Sequence, residues 1–112
     1  MPKAYYWVEE HHVGEPHYHF YPYNRTKYPT RKLYEDMINI LNELKEKYNL
    51  EWRDYGNLWD EEKRRMYVQT VMIPTKSFPS ENRIHVTVFN RGKPLFRELI
   101  ERLDVEKVQG EP

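Results

Sequence analysis

The stretch AYYWVEEHHVGEPHYHFYPY, residues 4–23, decides the fold. Both of its ends are rich in Tyr, Trp, Val and Phe, residues that suit strands. Between them, Val-Gly-Glu-Pro makes a tight connection, so the stretch reads as a β-hairpin. Its middle, EEHHVGEPHYHF (Glu9 to Phe20), packs four histidines and three glutamates into twelve residues. On a strand, residues i and i+2 point the same way. His17 and His19 therefore share one face, and Tyr18 and Phe20 the other. Neutral imidazoles two apart on a rigid strand can chelate one divalent ion, and the facing strand can add a carboxylate. Register decides which carboxylate. A loop centred between Gly14 and Glu15 sets Glu10 opposite His19 and His12 opposite His17. A loop centred on Gly14 sets Glu9 opposite His19 and His11 opposite His17. One residue of slip moves the whole set to the other face, and both registers stay open.

Beyond the hairpin, residues 24–29 form a basic loop. A helix follows, with Thr30 as its expected N-cap. Leu33, Met37, Ile40, Leu41, Leu44 and Tyr48 recur at three- and four-residue spacing, and Asn49 is the expected stop. Residues 51–59 suggest a short strand and a turn at Gly56. In DEEKRRMYVQTVMI (60–73) the first half looks helical, with acids in its first turn. The second half, YVQTVMI, looks like a strand. RIHVTVFN (83–90) alternates strictly and predicts a strand. Pro94 opens a last helix whose apolar stripe is Leu95, Phe96, Leu99, Ile100 and Leu103. Residues 104–112 are expected to fray. This order implies one α+β domain over 1–112, an antiparallel sheet with helices packed on one face.

The 112 residues are 38% hydrophobic and 32% charged, the balance of a globular chain. No apolar run approaches the roughly 20 residues that span a membrane. The first residues lack a signal-peptide pattern, so a cytoplasmic setting is expected. There is no cysteine, which excludes disulfides, thiolate catalysis and cysteine-bound zinc. Net formal charge is zero, but NRTKYPTRK (24–32) holds four cations and no acid. Arg25, Lys27, Arg31 and Lys32, interleaved with Tyr21, Tyr23 and Tyr28, suit single-stranded nucleic acid: cations meet phosphates and rings stack on bases. The alternative is a solvated basic loop.

GEPHYHF resembles the second motif of HUH endonucleases, in which two histidines flank a hydrophobic residue. The likeness is to replication initiators of small circular DNA viruses, plasmids and phages, and it covers residues 5–21. It implies a ferredoxin- or RRM-like sheet. It also implies Glu9, His17 and His19 as ligands of Mg²⁺ or Mn²⁺, and single-stranded DNA as substrate. In that family a tyrosine attacks the scissile phosphate and stays joined to it, and the metal polarises the phosphate. The tyrosine usually sits in a helical Tyr-x-x-Lys. The best positional match is Tyr67, with Thr70 where the lysine would be and Lys63 one turn earlier. Tyr28 and Tyr34 are rivals. If YVQTVMI is a strand, Tyr67 is a core or sheet residue instead. The family's opening strand and helix are missing, and RIHVTVFN is expected in the missing strand's place.

Other chemistry stays open. HVTV at 85–88 resembles half of a two-histidine phosphoesterase, but position 19 is histidine where the other half needs a hydroxyl. His85 is either a sheet residue or a third histidine near the site. Two histidines and one glutamate also match a non-haem iron triad. A nucleic-acid-binding protein of the same fold without a nucleophile is the remaining alternative, and a homo-oligomer is compatible with all of these.

Overall fold

A computed structural model describes residues 1–9 and 14–110. Strand β1 (Ala4–Glu9) and strand β2 (His17–Pro22) form the expected hairpin. Helix α1 (Thr30–Tyr48) follows, then β3 (Glu51–Arg53), β4 (Asn57–Asp60), β5 (Arg65–Pro74) and β6 (Asn82–Val88). A single 3-10 turn at Asn90–Gly92 leads into α2 (Lys93–Arg102), and β7 (Val105–Lys107) closes the chain. The fold is α+β, as the sequence implies. The seven strands lie in the order β3-β4-β5-β6-β2-β1-β7. Every pair is antiparallel except β1 with β7. No helix of the described residues is long and apolar enough to cross a membrane.

The alternation of each strand sorts its residues between two faces. Phe20 of β2, Ala4 and Tyr6 of β1, Ile84, Val86 and Val88 of β6, and Val68 of β5 point into one core. Both helices cover that face. From α1 come Leu33, Met37, Leu41 and Leu44, and from α2 Leu95, Phe96 and Leu99. Full burial of each large apolar side chain contributes roughly 1.5–3 kcal/mol. Helix α1 ends where expected: Asn49 takes a left-handed φ of 55°, and its N–H reaches back to Glu46 and Lys45. Its start differs from expectation. Pro29 precedes the first helical residue, and Thr30 is buried, its hydroxyl donating to the Asn82 carbonyl at 3.0 Å. Thr30 therefore ties α1 to β6 instead of capping the helix.

Three further expectations are corrected. Residues 60–66 form no helix: β4 runs to Asp60, a tight turn follows, and β5 starts at Arg65. The turn is fixed by Asp60, whose carboxylate accepts from the Lys63 N–H at 3.0 Å, and by Arg64 at a left-handed φ of 53°. Acids ahead of cations, which suggest a helix start, here serve a hairpin. The tail is not frayed through 105–107, because β7 pairs with Ala4, Tyr5 and Tyr6 of β1. The β1–β2 register is neither of the two considered. Glu9 faces His17 and Trp7 faces His19, which centres the connection on position 13. Glu10, His11, His12 and Val13 lie outside the described residues.

Gly56 makes the β3–β4 turn, with a φ of 83°. A Cβ there would stand 2.3 Å from the Thr70 carbonyl oxygen and 2.8 Å from the Tyr34 hydroxyl. Gly56→Ala is expected to cost about 1–3 kcal/mol in denaturant unfolding, whereas Gly110→Ala, which meets nothing within 4 Å, leaves the midpoint unchanged.

Candidate functional site

Among the described residues the second sheet face carries no helix. Its residues come from four adjacent strands. Strand β1 gives Tyr5, Trp7 and Glu9, β2 gives His17, His19 and Tyr21, β6 gives Arg83, His85 and Thr87, and β5 gives Gln69 and Val71. The pairings align them: Glu9 with His17 with Thr87 with Gln69, and Trp7 with His19 with His85 with Val71. Directly opposed Cβ atoms in such ladders are about 4.5–5.5 Å apart. The three expected ligands are therefore brought together on one face, and His85 joins them.

His19 is the most enclosed member, only 4% exposed. The Trp7 indole stacks on its ring at 4.2 Å and 13°. The Arg83 Nε–H donates to His19 Nδ1 at 3.0 Å. An Nδ1 that accepts a hydrogen bond carries no proton, so the neutral ring holds its proton on Nε2. His19 Nε2 stands 3.4 Å from the Glu9 carboxylate, which is about half exposed. Arg83 is itself fixed, donating to the Pro74 carbonyl at 2.6 Å. His17 Nδ1 lies 3.0 Å from the Thr87 hydroxyl. When that nitrogen is the donor, the lone pair of His17 sits on Nε2, the form a metal takes. The His85 pKa is lowered to about 4, first by burial and then by His19, His17 and Arg83, with Glu9 opposing. His85 is therefore neutral at physiological pH.

These donors can be tested against a divalent cation. Two ligands each about 2.1 Å from a tetrahedral ion lie about 3.4 Å apart, which is the Glu9–His19 separation of 3.4 Å. A cation there would replace the proton that now sits on Nε2. Among the described residues no three His, Asp or Glu side chains stand in ligating positions as placed. The side chains fit the group by chemistry and proximity, and side-chain rotation is needed to close a three-ligand set.

Tyr67 is not part of this face. It lies on β5, 7% exposed, in the hydrophobic core. Leu58 pairs with Val68 and Trp59 with Met66, so Tyr67 is the extra residue of a β-bulge. Its ring meets Tyr48 of α1 edge-on at 6.3 Å. The helix that would present it does not exist. Tyr34 is buried, with its hydroxyl 3.0 Å from that of Thr70. Tyr28 donates to Asp36, and its ring lies under Lys3 Nζ at 5.3 Å. The basic loop divides. Arg25 is held by Thr30, by the Asn82 carbonyl and by Glu81 at 3.3 Å. Lys27 and Arg31 are exposed, and Lys32 pairs with Asp36 at 3.6 Å. Arg31 and Lys32 ride on α1, which packs against the opposite sheet face.

An aromatic cluster adjoins the histidines; the sequence pointed to its Tyr21 and Tyr23 but not to Tyr5 or Phe78. Tyr21 follows His19 by two residues on the same face, and Tyr5 precedes Trp7 in the same way. The two tyrosine rings stack at 5.3 Å and 10°, and Tyr23 meets Tyr5 at 4.7 Å. With Arg25, Phe78 and Glu81 they line a groove of about 680 Å³. Phe78 is 63% exposed and Tyr23 45%. Trp7, Arg83 and Thr87 were missed as well, although the alternation of RIHVTV already places Arg83, His85 and Thr87 together. No family model, curated protein or solved structure matches the chain.

The lowered pKa of His85 makes the metal-free protein acid-sensitive. The unfolded chain takes up the His85 proton near pH 6.5, while the folded chain resists it down to about pH 4. Over that window the unfolded state binds more protons, so stability falls as pH falls. Thermal melts in the presence of a chelator should show Tm dropping between pH 6.5 and 4, with a shallower drop in His85→Gln.

Proposed function

We propose that the uncovered sheet face binds a divalent cation through Glu9, His17 and His19, and acts there on a phosphodiester of single-stranded nucleic acid. One observation carries this reading: three separated residues chosen for metal chemistry share one face, with a carboxylate oxygen 3.4 Å from an imidazole nitrogen. When bound, Mg²⁺ or Mn²⁺ would polarise a phosphate oxygen and neutralise charge as it develops. The chain's own residues orient the site. Thr87 holds the His17 ring, and Arg83 and Trp7 hold His19. The groove of Tyr5, Tyr21, Tyr23 and Phe78 offers flat faces for bases beside it. The likeness of GEPHYHF to HUH endonucleases supports the same substrate class.

Strand transfer through Tyr67 is not supported, because that phenol is in the core. Water is the attacking group in the proposed reaction. It adds to phosphorus, the bond to one ester oxygen breaks, and that oxygen leaves as a hydroxyl. A second reading is a nucleic-acid-binding protein that cuts nothing, and the burial of Tyr67 favours it.

Labelled single-stranded oligonucleotides incubated with Mn²⁺ and run on denaturing gels separate these readings. Expected are metal-dependent fragments and no denaturant-stable adduct. Cleavage should be lost in His17→Ala and kept in Tyr67→Phe. An adduct abolished by Tyr67→Phe would restore the tyrosine mechanism, and binding without cleavage would establish the second reading. Phe78→Ala should weaken oligonucleotide binding about tenfold, because a stacked base contributes roughly 1–3 kcal/mol. A protein that neither binds nor cuts overturns the proposal.

A further inference from the structure

The geometry points to His85 as a further ligand of the cation placed at Glu9, His17 and His19, which makes the site one for an imidazole-preferring transition ion instead of Mg²⁺. This inference rests on the reading above.

Position comes first. His85 faces His19 directly across the β2–β6 ladder, and His17 is its diagonal neighbour. Its ring centroid is 4.8 Å from that of His17 and 4.9 Å from that of His19. A metal-bound imidazole has its centroid about 3.2 Å from the ion, given a bond of about 2.0–2.1 Å. Two such rings at angles near 100° have centroids about 5 Å apart. His85 therefore stands at the spacing of a co-ligand from both histidines at once. The His17–His85 planes differ by 30° and the His19–His85 planes by 75°; as placed they form no three-ligand set, so the inference requires the rings to turn about their side-chain bonds.

The surroundings agree. Arg83, which touches this group, is anchored on the Nδ1 side of His19 and on the Pro74 carbonyl. It lies on the side of His19 away from Glu9. Thr87 and Gln69, the other polar residues of β6 and β5 on this face, bring no charge. The ordinary alternative is that His85 only packs. A packing role would be met by any apolar residue in a ladder whose next member is Val71.

Three imidazoles and one carboxylate change the choice of ion. Nitrogen-rich sites select Zn²⁺, Fe²⁺, Ni²⁺ or Cu²⁺, whereas Mg²⁺ prefers oxygen ligands and keeps its waters.

The test is calorimetric titration of the full chain with Zn²⁺, Mn²⁺ and Mg²⁺ separately, in wild type and in His85→Ala. Expected are Zn²⁺ bound at least a hundredfold tighter than Mg²⁺, and a loss of at least tenfold in Zn²⁺ affinity on His85→Ala. Unchanged Zn²⁺ affinity in a folded His85→Ala overturns the inference and leaves the ligand set Glu9, His17 and His19 standing. Mg²⁺ bound as tightly as Zn²⁺ also overturns it. No binding of any of the three ions by wild type removes the metal reading itself. If His85→Ala does not fold, ¹⁵N spectra of the wild-type histidine rings decide. Zn²⁺ should shift one ring nitrogen of His85, and an unmoved His85 signal in the loaded protein sinks the assignment.

Discussion

Between β1 and β6, strand β2 buries Tyr18 and Phe20 under the helices and sets His17, His19 and Tyr21 on the face that no helix covers. The two roles are inseparable, because strand alternation has no intermediate setting. A slip of one residue would push two imidazoles under α2 and carry Phe20 into solvent, forfeiting roughly 2–3 kcal/mol for that ring alone. The histidine face is therefore held in register by the core beneath it. Phe20 has no exposed surface, and the Phe96 ring of α2 lies 4.2 Å from that of Tyr18. The same logic runs through β6, where Ile84, Val86 and Val88 anchor the opposite side of the strand from Arg83, His85 and Thr87.

The helix-free face is nevertheless enclosed at its centre. His19, Arg83 and Thr87 are each less than 10% exposed. Buried polar groups persist only when their hydrogen bonds are met. Here Arg83 satisfies His19 and is satisfied by Pro74, and Thr87 meets His17. Glu9 differs, being about half exposed at the end of β1. The enclosed part of the site is its imidazole floor, whose rings must turn to close a ligand set, and its exposed part is the carboxylate.

The hairpin, α1, α2 and the shared face of His17 and His19 were legible because each rests on local periodicity; Glu9 was implied only by the family resemblance, because the register that sets it opposite His17 was not among those the turn suggested. Residues 60–66 were not. Asp-Glu-Glu ahead of Lys-Arg-Arg matches both a helix start and a charged hairpin turn, and the long β5–β6 pairing selects the second. Strand β7 was also hidden. Three residues carry no periodic signal, and they become a strand only because β1 offers them an edge. The nearness of His85 to His17 depends on a pairing across 70 residues of sequence, which alternation within RIHVTV does not reveal.

The phenols themselves argue about the reaction. A tyrosine nucleophile needs its proton removed, through a lowered pKa or an adjacent base. Several tyrosines here are set the other way. The hydrogen bond to Glu106 raises Tyr23 to about 12, and the bond to Glu98 does the same for Tyr48. Burial, reinforced by Asp36, raises Tyr28, and burial raises Tyr34. Carboxylates that accept a hydrogen bond from a phenol and raise its pKa keep the proton on the tyrosine. Tyr5 and Tyr21 stack on each other beside the histidines, and the Tyr21 hydroxyl is fully enclosed. Tyr67, Tyr34, Tyr28 and Tyr48 are engaged in the core or with carboxylates, which favours water as the attacking group in the proposed chemistry.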